Sequence, residues 1–116
     1  METVTRSNLE ARTYIFARDI RAFVKQLPKN IASVADGTQL VRSSGSVGAN
    51  YIEAQEALSR KDFAMRVKIS RKEAKESVYW LNLLEVPASL ADEHKRLLQE
   101  VSELLKIFSS IVQRFK

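Results

Sequence analysis

The chain has 116 residues, 45% hydrophobic and 28% charged, the size and composition of one water-soluble globular domain. It has no cysteine, which excludes a disulfide framework, a thiolate nucleophile and a thiolate metal site. Its formal charge of +5 is supplied by one segment: residues 60–75, RKDFAMRVKISRKEAK, carry seven Lys/Arg against Asp62 and Glu73, while the remainder holds twelve basic and twelve acidic residues.

The opening METVTRSNLEARTY lacks the apolar core of a signal peptide, and no stretch approaches the roughly 18 apolar residues of a membrane span, so a cytoplasmic location is expected. The first helix is predicted near residues 8–27. Ser7 stands three residues ahead of Glu10, the spacing at which a hydroxyl and a carboxylate cap free backbone N–H groups reciprocally. Its inward positions Leu9, Thr13, Phe16, Ile20, Phe23 and Leu27 alternate steps of four and three. Pro28, which lacks an N–H and crowds the preceding turn, ends it.

The second helix is predicted near 33–57, with Ser33 and Asp36 as its cap and Leu40, Ser44, Val47, Tyr51, Ala54 and Leu58 as its seam. Its interior reads VRSSGSVGANYIEA, residues 41–54, and holds two of the three glycines. A phosphate-cradling loop would need a preceding strand and a lysine after the last glycine. Neither is present, so the glycines are expected inside a helix, where each costs ~0.5–1 kcal/mol relative to alanine and marks a close neighbour. Gly48 lies beside the seam and suits close packing; Gly45 points further out, where a bend is expected. Ser43, Ser46, Asn50 and Glu53 form a polar stripe along this helix. It is either a solvated flank or a hydrogen-bonded network with Arg42, or with Glu73 and Glu76 of the next helix; the network would fix register.

The third helix is predicted near 60–86, from the Ser59–Asp62 cap to Pro87, with Phe63, Val67, Ser70, Ala74, Ser77, Leu81 and Leu84 inward. Lys61, Lys68, Lys72 and Lys75 then recur on the outward face, flanked by Arg60, Arg66 and Arg71. The fourth helix is predicted near 90–115, with Ser89 and Asp92 as cap and Leu90, His94, Leu97, Val101, Leu104, Phe108, Ile111 and Phe115 as seam. Leu98, Leu105 and Val112 make a second apolar stripe beside it, and Val78, Tyr79 and Trp80 lie outside the third seam. These six residues either widen the core or form a subunit interface. The four seams and short connections predict an all-α fold: one up-and-down antiparallel four-helix bundle spanning residues 1–116.

QLVRSSGSVGANYIEA followed by SRKDFAMRVKISRKEAKESVYWLNLL resembles the four-helix-bundle family of proteins encoded within intervening sequences of bacterial large-subunit ribosomal RNA genes. The matching residues are Arg42, Ser43, Ser46 to Asn50, Glu53 and Ala54, then Lys72 to Ser77 and Tyr79 to Leu81. The resemblance implies assembly into a homopentameric ring, with molecular function undetermined for most members. It also implies kinship with accessory proteins of diversity-generating retroelements, where a basic pentamer is thought to hold a reverse transcriptase and nucleic acid.

No enzymatic signature stands out. A di-iron bundle needs Glu-x-x-His on two helices, but the one histidine, His94, has alanine at position 91. Glu53, Glu73 and Glu76 have no spacing that demands a cation. No metal or cofactor is therefore expected. The basic face of the third helix can neutralise phosphates by counterion release, giving salt-sensitive, sequence-tolerant binding of RNA or DNA. Repetition around a ring would multiply that affinity. The alternatives are a solvated face and a protein–protein adaptor that docks a partner on Tyr79 and Trp80.

Overall fold

The computed structural model describes residues 6–115, with side chains from residue 8, and contains four long helices. They are α1 (Arg6–Lys25), α2 (Ile31–Gln55), α3 (Arg60–Leu83) and α4 (Ala91–Gln113), with a 3₁₀ turn over Ala88–Leu90 and no strand among the described residues. Contacts fix the directions. Thr13 meets Gly48 while Val24 meets Gly37, so α1 and α2 run antiparallel. Ser70 bonds Val47 and Ser77 bonds Ser43, which makes α2 and α3 antiparallel. Phe63 packs on Phe115 and His94 bonds the Leu81 carbonyl, and α4 closes on α1 through Arg12–Glu100 and Asp19–Arg96. The result is an up-and-down four-helix bundle.

The predicted seams become the core. Leu9, Phe16, Ile20 and Phe23 of α1 join Leu40 and Val47 of α2, Val67, Ala74 and Leu81 of α3, and Leu97, Val101, Leu104 and Phe108 of α4, each at most 1% exposed. Burying one such large side chain contributes about 1.5–3 kcal/mol, so this set drives the folding. Leu58 departs from its prediction. The chain leaves the helix after Gln55, and Leu58 stands fully exposed in the connection to α3.

The helix starts divide. Ser59 caps α3 as predicted, accepting the Asp62 N–H at 3.0 Å. At α2 the cap is Asn30, whose Oδ1 accepts the Ser33 N–H at 2.9 Å; Ser33 lies within the helix, buried. Asparagine is as good an N-cap as serine, and its position decides where the helix begins. Ser89 falls in the 3₁₀ turn that leads into α4, whose N-cap Leu90 makes no side-chain bond. The Ser7 side chain lies outside the described residues.

The glycines lie in an unbroken helix, and none of them has positive φ. A Cβ on Gly48 would stand 2.8 Å from Thr13 Oγ1 and 3.0 Å from Thr13 Cβ. Thr13 is itself buried, its hydroxyl donating to the Glu10 carbonyl at 2.9 Å, so it has nowhere to turn. Gly45 also faces α1 rather than marking a bend: its virtual Cβ meets the guanidinium of Arg21 at 3.1 Å.

Small residues bring α2 equally close to α3. Ser43 and Ser77 hydroxyls lie 2.9 Å apart, and Ser70 donates to the Val47 carbonyl at 2.9 Å, all fully buried. Above them Arg42 donates to Glu73 at 3.1 Å and to Glu76 at 2.9 Å, with Glu73 buried and Glu76 half-exposed. The Glu73 hydrogen bond, then its charge, raise the Arg42 pKa. Of the polar stripe, Ser43 crosses to α3. Ser46 and Asn50 instead bond back along α2, to the carbonyls of Arg42 and Ser46, and Glu53 faces solvent.

Two stability predictions follow from this geometry. Gly48→Ala should lower the melting temperature, because an overpacking cost of about 1–3 kcal/mol exceeds the ~0.5–1 kcal/mol gained in helix propensity. Gly45→Ala should leave it unchanged or raise it, since only a flexible guanidinium must move. Arg42→Ala strips a buried carboxylate of its main partner and should cost about 2 kcal/mol in urea unfolding, against less than about 0.5 kcal/mol for Glu76→Ala.

Candidate nucleic-acid interface

The period that buries Val67, Ser70, Ala74 and Ser77 turns the cations of α3 outward. Arg60, Lys61, Lys68, Lys72 and Lys75 are exposed, and Arg66 and Arg71 are half-buried. Lys72 Nζ reaches Glu73 only at 3.9 Å. Among the described residues the other six take no part in an ion pair. Two arginines elsewhere are committed to the fold. Arg12 pairs with Glu100 at 2.6 Å, and Arg96 grips both oxygens of Glu93 at 2.7 Å and Asp19 at 3.0 Å. The hydrogen bond from Arg96 holds the Glu93 carboxyl below its ordinary range.

Four of the unpaired or loosely paired cations share one depression. Lys68, Arg71, Lys72 and Lys75 line a groove of about 440 Å³ between α3 and α4, which Leu105 and Ser109 complete from the α4 side. Leu105 and Ser109 also border a second shallow hollow containing Lys106 and Arg114, which carries the basic surface onto α4. The sequence reading omitted Lys106 and Arg114. The available signal was antiparallel register: with Phe63 opposite Phe115, the residues near 106–110 must lie across from 68–72.

The six residues considered for a subunit interface are dispersed. Val112 is 1% exposed and belongs to the core of its own bundle, so it has no surface to offer a neighbour. Val78, Trp80, Leu98 and Leu105 are partly buried against that core. Tyr79 alone is largely exposed, at 58%, with its ring edge-on to Trp80 at 5.0 Å.

His94 is structural in its contacts: its Nε2 lies 2.8 Å from the Leu81 carbonyl oxygen, and its ring stacks on Phe23. Among the described residues no group of three or more His, Asp or Glu side chains is placed to hold a metal ion. None of the helices in that range is long and apolar enough to cross a membrane.

The family model for the 23S rRNA-intervening sequence protein matches residues 8–110. Among solved structures, the fold is similar to a crystal structure from Bacteroides thetaiotaomicron VPI-5482, a protein of unknown function from the S23 ribosomal protein family. The TM-score is 0.74 at 29% sequence identity, over 90% of this chain and 97% of that one. No curated protein matches. With the match running from α1 into the last turns of α4, the chain belongs to the 23S rRNA-intervening sequence protein family.

Proposed function

We propose that the protein is a non-enzymatic, oligomeric binder of nucleic-acid backbone, acting through the basic face of α3. The observation that carries this reading is the groove lined by Lys68, Arg71, Lys72 and Lys75, of which only Lys72 approaches a carboxylate. Cations held side by side without acidic partners repel one another, and an incoming run of phosphates relieves that repulsion while releasing its own counterions. The groove is open and three of its four cations are lysines, which act as point charges, so RNA and DNA should bind mainly through phosphate contacts with little sequence preference. The assembly we propose is a homopentameric ring, in keeping with the family resemblance, in which five copies of a weak site act together.

A second reading is an adaptor for a protein partner, favoured by the exposure of Tyr79 and of Leu83, at 58% and 48%, on one side of α3. It predicts a basic face that binds no nucleic acid at all.

Fluorescence anisotropy with labelled oligonucleotides over a salt series separates the two. Four phosphate contacts per site predict a slope of log K against log salt near −3, flatter for single strands than for duplex. The triple substitution Lys68→Glu, Lys72→Glu and Lys75→Glu should abolish binding while leaving the helical circular dichroism intact, since all three side chains are exposed. Undiminished affinity in that protein would place binding elsewhere. Light scattering should return about five times the 13.2 kDa chain mass; a monomer would rule the ring out.

A further inference from the structure

At the end of the basic face where α3 begins, the structure brings in an aromatic side chain that the third helix does not itself supply. Phe115, just beyond α4, is held by a backbone bond to Val112 and by its ring against Phe63 at 5.4 Å. The guanidinium carbon of Arg60 lies 4.8 Å from the centre of the same ring. Together with Met65, half-exposed, these residues border a hollow of about 670 Å³, open to solvent. Lys68 lines both this hollow and the cationic groove, so the two adjoin.

We infer that this hollow receives an unpaired base of a single-stranded nucleic acid whose backbone lies along the Lys68–Lys75 groove. The inference rests on the proposed backbone binding and adds a preference to it. A purine or pyrimidine is a flat apolar plate of a size that the hollow admits, and it has π faces that stack on an aromatic ring or a guanidinium plane whatever its identity. Arg60 already lies over the ring of Phe115, so a base stacks on the outer face of that guanidinium or takes its place on the ring. Neither contact is available to a base inside a duplex, because its faces are already stacked on neighbouring bases. Asp62, the one carboxylate at the rim among the described residues, sits among Arg60, Lys61 and Lys68, so the rim remains positive and suited to the phosphate that follows the stacked base. The chemistry distinguishes single from double strands and does not distinguish RNA from DNA.

The test uses the whole protein at low salt with three labelled probes: oligothymidine of about twelve nucleotides, an abasic strand of equal length, and the corresponding duplex. Stacking on an aromatic side chain predicts that oligothymidine binds about tenfold more tightly than the abasic strand, and more tightly than the duplex. Phe115→Leu keeps an apolar contact with Phe63 but removes the π face. It should bring oligothymidine down to the abasic affinity while leaving the abasic strand's own affinity unchanged, with a thermal melt confirming that the bundle persists. If that variant does not fold, the comparison of probes on the unaltered protein still decides. Equal affinity for oligothymidine and the abasic strand overturns base stacking and leaves backbone binding standing. Failure of every probe to bind overturns both.

Discussion

The close approach of α2 to both neighbours is the constraint on which the rest of this bundle depends. On one side Gly48 lets α2 lie against Thr13 at a separation that excludes even a methyl group. On the other, Ser43, Ser70 and Ser77 replace bulky side chains with hydroxyls short enough to bond across the α2–α3 contact. Such contacts contribute little through area burial, and the glycine carries a backbone entropy cost. Their role is to define distance and register. A bundle built only on leucine seams could slide by a turn at modest cost, whereas a hydroxyl–hydroxyl pair and a glycine–threonine contact each have one satisfactory setting. The Arg42 bridge to Glu73 and Glu76 lies over the same contact and favours the same alignment.

That alignment determines what α3 shows to solvent. Because the small residues Ser70, Ala74 and Ser77 occupy the inward face, Lys68, Lys72 and Lys75 fall on the opposite face, between exposed Met65 and Tyr79. The carboxylates follow a complementary rule. Glu73 and Glu76 are drawn to the α2 side by Arg42, and Glu93 and Asp19 to the α1–α4 side by Arg96. Glu73 and Glu76 are thereby engaged by Arg42 more closely than by the lysines, while Asp62 stays at the rim of the basic face, so much of the local positive field is a by-product of how the α2–α3 contact is pinned.

The fold was legible in the sequence because helical periodicity is written in side-chain volume, and the positions from Leu9 to Leu27 or from Leu97 to Phe108 repeat it without interruption. The ends were less legible. Asn30 and Ser33 are both competent caps, and choosing between them depends on the turn after Pro28 rather than on residue type. Leu58 continues the seven-residue rhythm of α2 but follows the point where the helix stops. The candidate site was legible as a charge excess on α3 and illegible as a surface. Lys106, Arg114 and Phe115 reach it from the α4 side, and the charge pattern of α3 alone does not show them; finding them needs the antiparallel register of α3 and α4. For Val112 the sequence left core and interface both open, and its 1% exposure places it in the core of its own bundle.

The division of cations into two populations bears on how a basic protein of this size can be both stable and attractive to polyanions. An arginine that bridges helices, such as Arg12 or Arg96, cannot be given up to a phosphate without loosening the fold, since its carboxylate partners would then be left unpaired. The lysines of α3 are under no such obligation: they lie on a face whose packing is settled by residues on the other side of the helix. Binding there would draw on charge that the folded state leaves uncompensated, so neutralising it should stabilise the bundle rather than strain it. A ligand held by Arg42 or Arg96 would have to do the reverse, and this energetic asymmetry favours α3 over the more conspicuous ion-paired arginines for the backbone binding proposed above.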